Sequence, residues 1–119
     1  MEAPIRDQSL DVLRGTLDLL ILRALLLAPT HGFGVARWIE QVTDDALQIE
    51  EGSLYPALYR LEKRGWVDAE WGLSENNRKA KFYRLTRVGR TQLRTETAQF
   101  TRFAEAVFKA LSATPHSVA

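Results

Sequence analysis

The sequence predicts a mainly α-helical fold with a small β-wing, arranged as a winged helix-turn-helix plus a C-terminal dimerisation helix. Three observations lead there. Three segments with helical apolar spacing lie within the first 65 residues. A strand, a basic turn and a second strand follow within residues 67–85, alternating apolar and polar positions as half-buried strands do. From Thr86 onward the apolar residues return to helical spacing, as far as about Leu111.

The first helix is expected over about Asp11–Leu27, after a short polar tail. Leu13, Leu17, Leu20, Ile21, Ala24 and Leu25 make one stripe, and Leu19, Leu22 and Leu26 add a second face. A helix apolar on most sides is buried on most sides, so the second face is expected to meet another subunit. Ala28-Pro29-Thr30-His31-Gly32 is a breaker cluster. The second helix runs to about Val42, with Val35, Ile39 and Val42 inward, Trp38 alongside, and Gly34 open to a neighbouring backbone. Thr43-Asp44-Asp45 interrupts it, and Leu47-Gln48-Ile49 reads as one short strand.

The third helix is expected to use Ser53 as N-cap and to bury Leu54, Leu58 and Leu61. Pro56 would fall in its first turn, where a missing N–H costs no helical bond. Gly65 would cap its end in the left-handed conformation. In the next strand Val67, Ala69 and Trp71 share one side, and Asp68 and Glu70 the other. A polar tip, Ser74–Lys79, leads to a second strand over about Lys81–Leu85, with Tyr83 and Leu85 in phase. Thr86 caps the last helix, and residues 112–119 read as a tail. The organisation is thus a winged helix-turn-helix over 1–91 and a dimerisation helix with tail over 92–119, forming one structural unit.

Composition narrows the function. With 119 residues the chain holds one core but not a deep substrate cleft as well. It has no cysteine, which excludes disulfides and thiolate metal sites. The apolar run Leu17–Ala28 carries Asp18 and Arg23 and is too short to span a membrane. Met1-Glu2-Ala3-Pro4 has neither the basic region nor the apolar run of a secretion signal, so a cytoplasmic location is expected. Net charge is +1, yet Asn76–Arg90 holds six basic residues and no acidic one. One concentrated basic segment presents a local field to a polyanion even on a near-neutral protein.

The candidate DNA-binding residues lie on two segments. On the third helix the outward set is Ser53, Tyr55, Pro56, Tyr59, Arg60 and Lys63. Hydroxyls and cations there suit phosphates and base edges, and tyrosine packs on thymine methyls. The alternative is a solvated amphipathic helix with two surface tyrosines. At the hairpin tip Asn77, Arg78, Lys79 and Lys81 offer long cations on a turn that can follow a phosphate backbone. The alternative is a polar turn in which the asparagines serve geometry and the lysines solubility.

The candidate dimerisation residues are Leu17 and Leu20 on the first helix and Leu93, Phe100, Phe103, Val107 and Leu111 on the last, where Ala104 shares the stripe and Phe103 and Phe108 widen it. A chain this small cannot cover that face from within, and a two-stranded seam would. Packing on the first helix of the same chain is compatible with it. His31 and His116 have no second ligand at metal spacing, and no phosphate loop, serine elbow or carboxylate pair occurs. Neither a metal, a cofactor nor an enzymatic activity is expected. Trp38, Trp66 and Trp71 could be core or could line a small-molecule pocket.

Four blocks resemble the PadR family of bacterial transcriptional regulators, in its short form with a single C-terminal helix. They are Leu13-Arg14-Gly15-Thr16-Leu17-Asp18-Leu19-Leu20-Ile21-Leu22, His31-Gly32-Phe33-Gly34-Val35-Ala36, Gly52-Ser53-Leu54-Tyr55-Pro56-Ala57-Leu58-Tyr59-Arg60-Leu61, and Tyr83-Arg84-Leu85-Thr86 with Gly89. Phe33 stands where tyrosine is common. The resemblance implies a homodimeric repressor that places its third helix in the major groove of a two-fold double-stranded operator, with the wing on the flanking backbone. It also implies possible release by a small-molecule effector. Two other classes fit the pattern: a protein-interaction adaptor without DNA, and a small-molecule-binding dimer on the same scaffold.

Overall fold

The computed structural model describes residues 3–6 and 11–115. His116 and the end of the tail lie outside them, as does part of the N-terminal tail. In chain order the elements are β1 (Ile5–Arg6), α1 (Asp11–Ala24), β2 (Thr30–His31), α2 (Gly32–Val42), β3 (Leu47–Gln48), α3 (Glu51–Lys63), β4 (Val67–Leu73), β5 (Lys79–Leu85) and α4 (Arg87–Ser112).

α1 lies at the centre, packed against α2, α3 and α4. Ile21, Leu22 and Leu25 of α1 and its end meet Val35 and Ile39 of α2, and Leu54, Leu58 and Leu61 of α3. Val67, Tyr83 and Leu85 close the core from the sheet, and Leu93 from α4. Each such side chain contributes about 1.5–3 kcal/mol by leaving water. Of the second face of α1, Leu22 is fully buried inside the subunit, whereas Leu19 and Leu26, like Leu20 of the first stripe, are only partly covered by the same core.

β4 and β5 form an antiparallel hairpin, in register from Val67 opposite Leu85 to Leu73 opposite Lys79. β2 joins the free edge of β5, with Thr30 opposite Tyr83 and His31 opposite Phe82. Thr30-His31 is therefore part of the sheet rather than only a breaker. Ile5-Arg6, expected as tail, pairs in parallel with Leu47-Gln48. Two-residue strands carry no period to read, so these pairings leave no mark in the pattern.

The helix ends show which local signals prevailed. Glu50, not Ser53, is the N-cap of α3: its backbone is extended and its carbonyl accepts from the N–H groups of Ser53 and Leu54. Ser53 thus lies inside the first turn. Pro56 is then the sixth residue of α3, past the positions where a missing N–H is free of cost, and the Gly52 carbonyl loses its helical donor. At the other end Gly65 is left-handed as expected, with φ +77°. Its N–H bonds to the Glu62 carbonyl and that of Trp66 to the Leu61 carbonyl, the double bond of a Schellman ending. Asp44 and Asp45 both have positive φ, so the break after α2 is real. Val42 beside it is exposed rather than inward. α1 stops at Ala24, three residues short of the expected end, leaving Leu27 in solvent.

Thr86 caps α4 as expected, its Oγ1 accepting from the Gly89 N–H at 3.0 Å and donating to the Gly65 carbonyl at 2.6 Å. One cap thus ties the start of α4 to the end of α3. Gly89 makes this closeness possible, because a Cβ there would collide with the Trp66 carbonyl oxygen.

Candidate nucleic-acid interface

α3 is held against α2 by backbone and carboxylate together. Glu40 Oε2 accepts from the Ile49 N–H at 3.1 Å, fixing the chain just before α3. With Leu54, Ala57, Leu58 and Leu61 buried, helical geometry puts Pro56, Tyr59 and Lys63 on the opposite, solvent side. Lys63 lies over the Tyr59 ring, 5.5 Å from its centre. Tyr55 and Glu62 flank this face toward the wing, and Arg60 and Arg64 flank it toward α1.

The two flanks are already engaged. Arg60 Nη2 donates to Asp18 Oδ1 at 2.9 Å, and Arg64 approaches the other oxygen at 3.7 Å. Lys81 Nζ donates to Glu62 Oε1 at 3.2 Å. Of the sequence-predicted cations, Arg60 and Lys81 therefore have carboxylate partners. Arg78 has none among the described residues. Ser53 is half-buried, whereas Tyr55 and Tyr59 are exposed.

The wing tip is a tight turn with a bulge. The Asn77 N–H bonds to the Ser74 carbonyl and the Ser74 N–H to the Arg78 carbonyl, both at 2.8 Å. Asn77 takes φ +61°, the left-handed position that such three-residue hairpins require. Asn77 thus serves geometry here, and its turn projects Arg78 and Lys79. Trp71 is 61% exposed, not inward with Val67 and Ala69. β4 has by then run past the core, and Lys79 covers the ring at 5.4 Å instead.

Between α3 and the wing lies a groove of about 560 Å³. Tyr55 and the junction of β2 and α2 at His31-Gly32-Phe33 form one side, and Trp71, Lys79 and Lys81 the other. Gly32 matters here, since a Cβ would fall 2.7 Å from the Tyr55 ring. His31 is the N-cap of α2, its Nδ1 accepting from the Gly34 N–H at 3.0 Å, and its ring meets Phe82 edge-on at 5.5 Å. Gly34 is accordingly packed against Thr30 and His31 side chains, not against a passing backbone. Tyr83 at the base of the groove has its phenol pushed above the ordinary range by burial, against the opposing influence of Lys81.

Sequence reasoning left Trp71 open between core and pocket, and it missed His31 and Phe33 as groove residues and Asp18 and Glu62 as ion-pair partners. Asp18 alone left a signal, as the one carboxylate within the apolar run Leu17–Ala28.

Of the sequence-predicted seam, Leu17 and Leu93 are spent in the subunit's own core and Leu20 is half-buried. Phe100, Phe103 and Leu111 are 41%, 61% and 76% exposed, and Val107 and Phe108 are exposed beside them. No described helix is long and apolar enough to cross a membrane.

A helical core with a recognition-type helix beside a β-wing defines a winged helix-turn-helix protein of mainly helical class. The chain belongs to the PadR-like family of transcriptional regulators, whose family model matches residues 21–95. It is 36% identical over 83 residues to an uncharacterized protein of Lysinibacillus sphaericus, covering 70% of this chain and 76% of that one. A solved transcriptional regulator from Clostridium thermocellum superposes with a TM-score of 0.77 at 29% identity, over 84% of this chain and 97% of that one. A PadR family transcriptional regulator from Eggerthella lenta gives 0.73 at 31% identity, over 91% and 92%.

Proposed function

We propose that this PadR-like protein is a sequence-specific repressor without catalytic activity, acting in the cytoplasm as a homodimer on a two-fold duplex operator. One observation carries the reading: Tyr55 on the flank of α3 shares a single groove with Lys79 and Lys81 of the wing, next to the solvent face of α3 that carries Pro56, Tyr59 and Lys63. Amphipathic rings among long cations suit base edges on one side and phosphates on the other. Ser53, Tyr55 and Arg60 flank the helix contact, and Asn77 and Lys81 support the wing.

Residues 1–91 form the DNA-binding part and 92–119 the assembly part. In support, no described residue of α4 beyond Leu93 is fully buried, and the exposed phenylalanines lie there. An exposed apolar face on a projecting helix is covered most simply by its own copy.

Selection of bound duplexes from a random pool tests the reading. The expected product is an inverted repeat with half-sites about one helical turn apart, bound less tightly as salt rises from about 50 to 200 mM. Binding that ignores both sequence and salt overturns it and favours a protein-interaction adaptor.

A further inference from the structure

Tyr83 ends at the floor of the groove between α3 and the wing. The residue is 6% exposed, and its ring belongs to the core with Val67 and Leu85. Its hydroxyl has no hydrogen-bond partner among the described residues. A buried hydroxyl without a partner forfeits the bonds it had with water, so it marks a place where an acceptor belongs. Lys81, Glu62 and Tyr55 all act on this phenol electrostatically, which puts its polar end toward α3 and the groove. Burial keeps the proton on it, so it is a donor.

The rest of the groove sorts by chemistry. Tyr55, Phe33 and Trp71 are exposed and offer ring surface. Lys79 stands over Trp71 and has no carboxylate partner among the described residues. Glu75 lies at the rim, likewise without a cation. A phosphate is drawn to the lysine, a flat heterocycle stacks on the rings, and sugar hydroxyls donate to the carboxylate. An aromatic acid lacking hydroxyls would leave Glu75 facing its own charge. A duplex offers base edges and backbone only, because its ring faces are stacked on one another. We infer that this groove binds a free nucleotide, its base against Tyr55 and Trp71, an acceptor on the Tyr83 hydroxyl and its phosphate on Lys79. The binding is independent of the DNA reading. Its consequence rests on that reading: a nucleotide here occupies the face offered to the operator and competes with it directly.

The probe is adenosine 5′-monophosphate, titrated calorimetrically into the intact protein, with adenosine and inorganic phosphate as its two halves. One site per chain is expected, with adenosine at least about fivefold weaker because a charge-assisted contact is missing. Tyr83→Phe should weaken the nucleotide about fivefold, as for one neutral hydrogen bond. It should leave the unfolding temperature of the ligand-free protein unchanged or raised, since the hydroxyl had no partner to lose. Trp71→Ala should weaken binding at least about fivefold through lost stacking. Absence of binding at millimolar nucleotide, or equal affinity for adenosine, overturns the inference. So does a Tyr83→Phe variant that unfolds at lower temperature yet binds as before, because the hydroxyl then serves the fold alone. Tetradeoxyadenylate bound far more tightly than the mononucleotide assigns the groove to single strands instead. At ten times its Kd the nucleotide should weaken operator binding about tenfold; an operator held equally well overturns the placement. A wild type that binds nucleotide but no DNA sinks the repressor reading and supports the site.

Discussion

Glu62 of α3 and Lys81 of β5 meet at 3.2 Å, joining the recognition-type helix directly to the wing. Both side chains are 36% exposed, so solvent screens the pair and its contribution to stability is below about 1 kcal/mol. Its consequence is positional: it ties α3 to β5 and gives Lys81 a carboxylate partner.

Glu62→Gln should therefore shift the unfolding temperature by only a few degrees, as expected for a change below about 1 kcal/mol. It should free Lys81 for phosphate and steepen the dependence of log affinity on log salt by about one unit. Titrations at four salt concentrations measure the slope. An unchanged slope means that Lys81 faces no phosphate even when released.

Arg60 is held in the same way by Asp18. Arg60→Ala should cost less DNA affinity than Arg78→Ala, although both remove one guanidinium. Asp18→Asn should raise non-specific affinity by freeing Arg60 and Arg64. Parallel titrations on a random duplex decide this, and the opposite ranking would show that Asp18 gives Arg60 up on binding.

Removing Arg78 or Lys79 by alanine substitution should weaken all duplexes alike, each lowering the salt slope by roughly one unit. Ser53→Ala and Tyr55→Ala should instead alter which sequences the protein selects. If selection after Arg78→Ala returns a different motif while Tyr55→Ala returns the same one, the roles of wing and helix are exchanged.

What the sequence disclosed of this fold was whatever repeats. α1, α3 and α4 are long enough for their apolar spacing to be read, and Gly65 and Thr86 mark their caps by residue type. The expectations that failed rest on few residues or on tertiary context. β1 and β2 are two residues each. Ser53 outranks Glu50 as an N-cap by propensity, yet the strand turn before α3 places the extended residue at Glu50. Trp71 keeps the period of an inward residue on a strand that has already left the core. The chemical types of the candidate interface were legible, but not which of its cations were already paired, because Asp18 and Arg60 are 42 residues apart.

Gly89→Ala should be among the most damaging small substitutions. The added methyl meets a backbone oxygen that cannot rotate away, and overpacking of this kind costs about 1–3 kcal/mol or more. Thermal unfolding should show the loss, while Gly72→Ala, which would touch only the movable Phe82 ring, serves as the milder comparison. Equal stability of the two variants would mean that α4 shifts freely at its start.

Phe100→Asp tests the assembly surface. Phe100 is 41% exposed in the subunit, so the change leaves the core intact. In a symmetric dimer it acts twice, removing apolar burial worth about 1.5–3 kcal/mol per ring and burying unpaired charge. Sedimentation should give a monomer at micromolar concentration, with affinity for a two-fold operator sharply reduced. A variant that remains a fully active dimer would falsify the α4 seam.

The junction at Thr86 and Gly89 also has a mechanical meaning. From Leu93, where α4 leaves the core, to Ser112 the helix runs for roughly 28 Å at its ordinary rise. It is a stiff lever whose short end is clamped to the carbonyl oxygens of Gly65 and Trp66. A tilt of about 5° at the clamp moves the far tip by roughly 2.5 Å over that length, half the pitch of one helical turn. Motion at one end of the lever becomes reorientation at the other, so in the proposed dimer the angle at which two copies cross would be geared to the seating of the helix that precedes the wing.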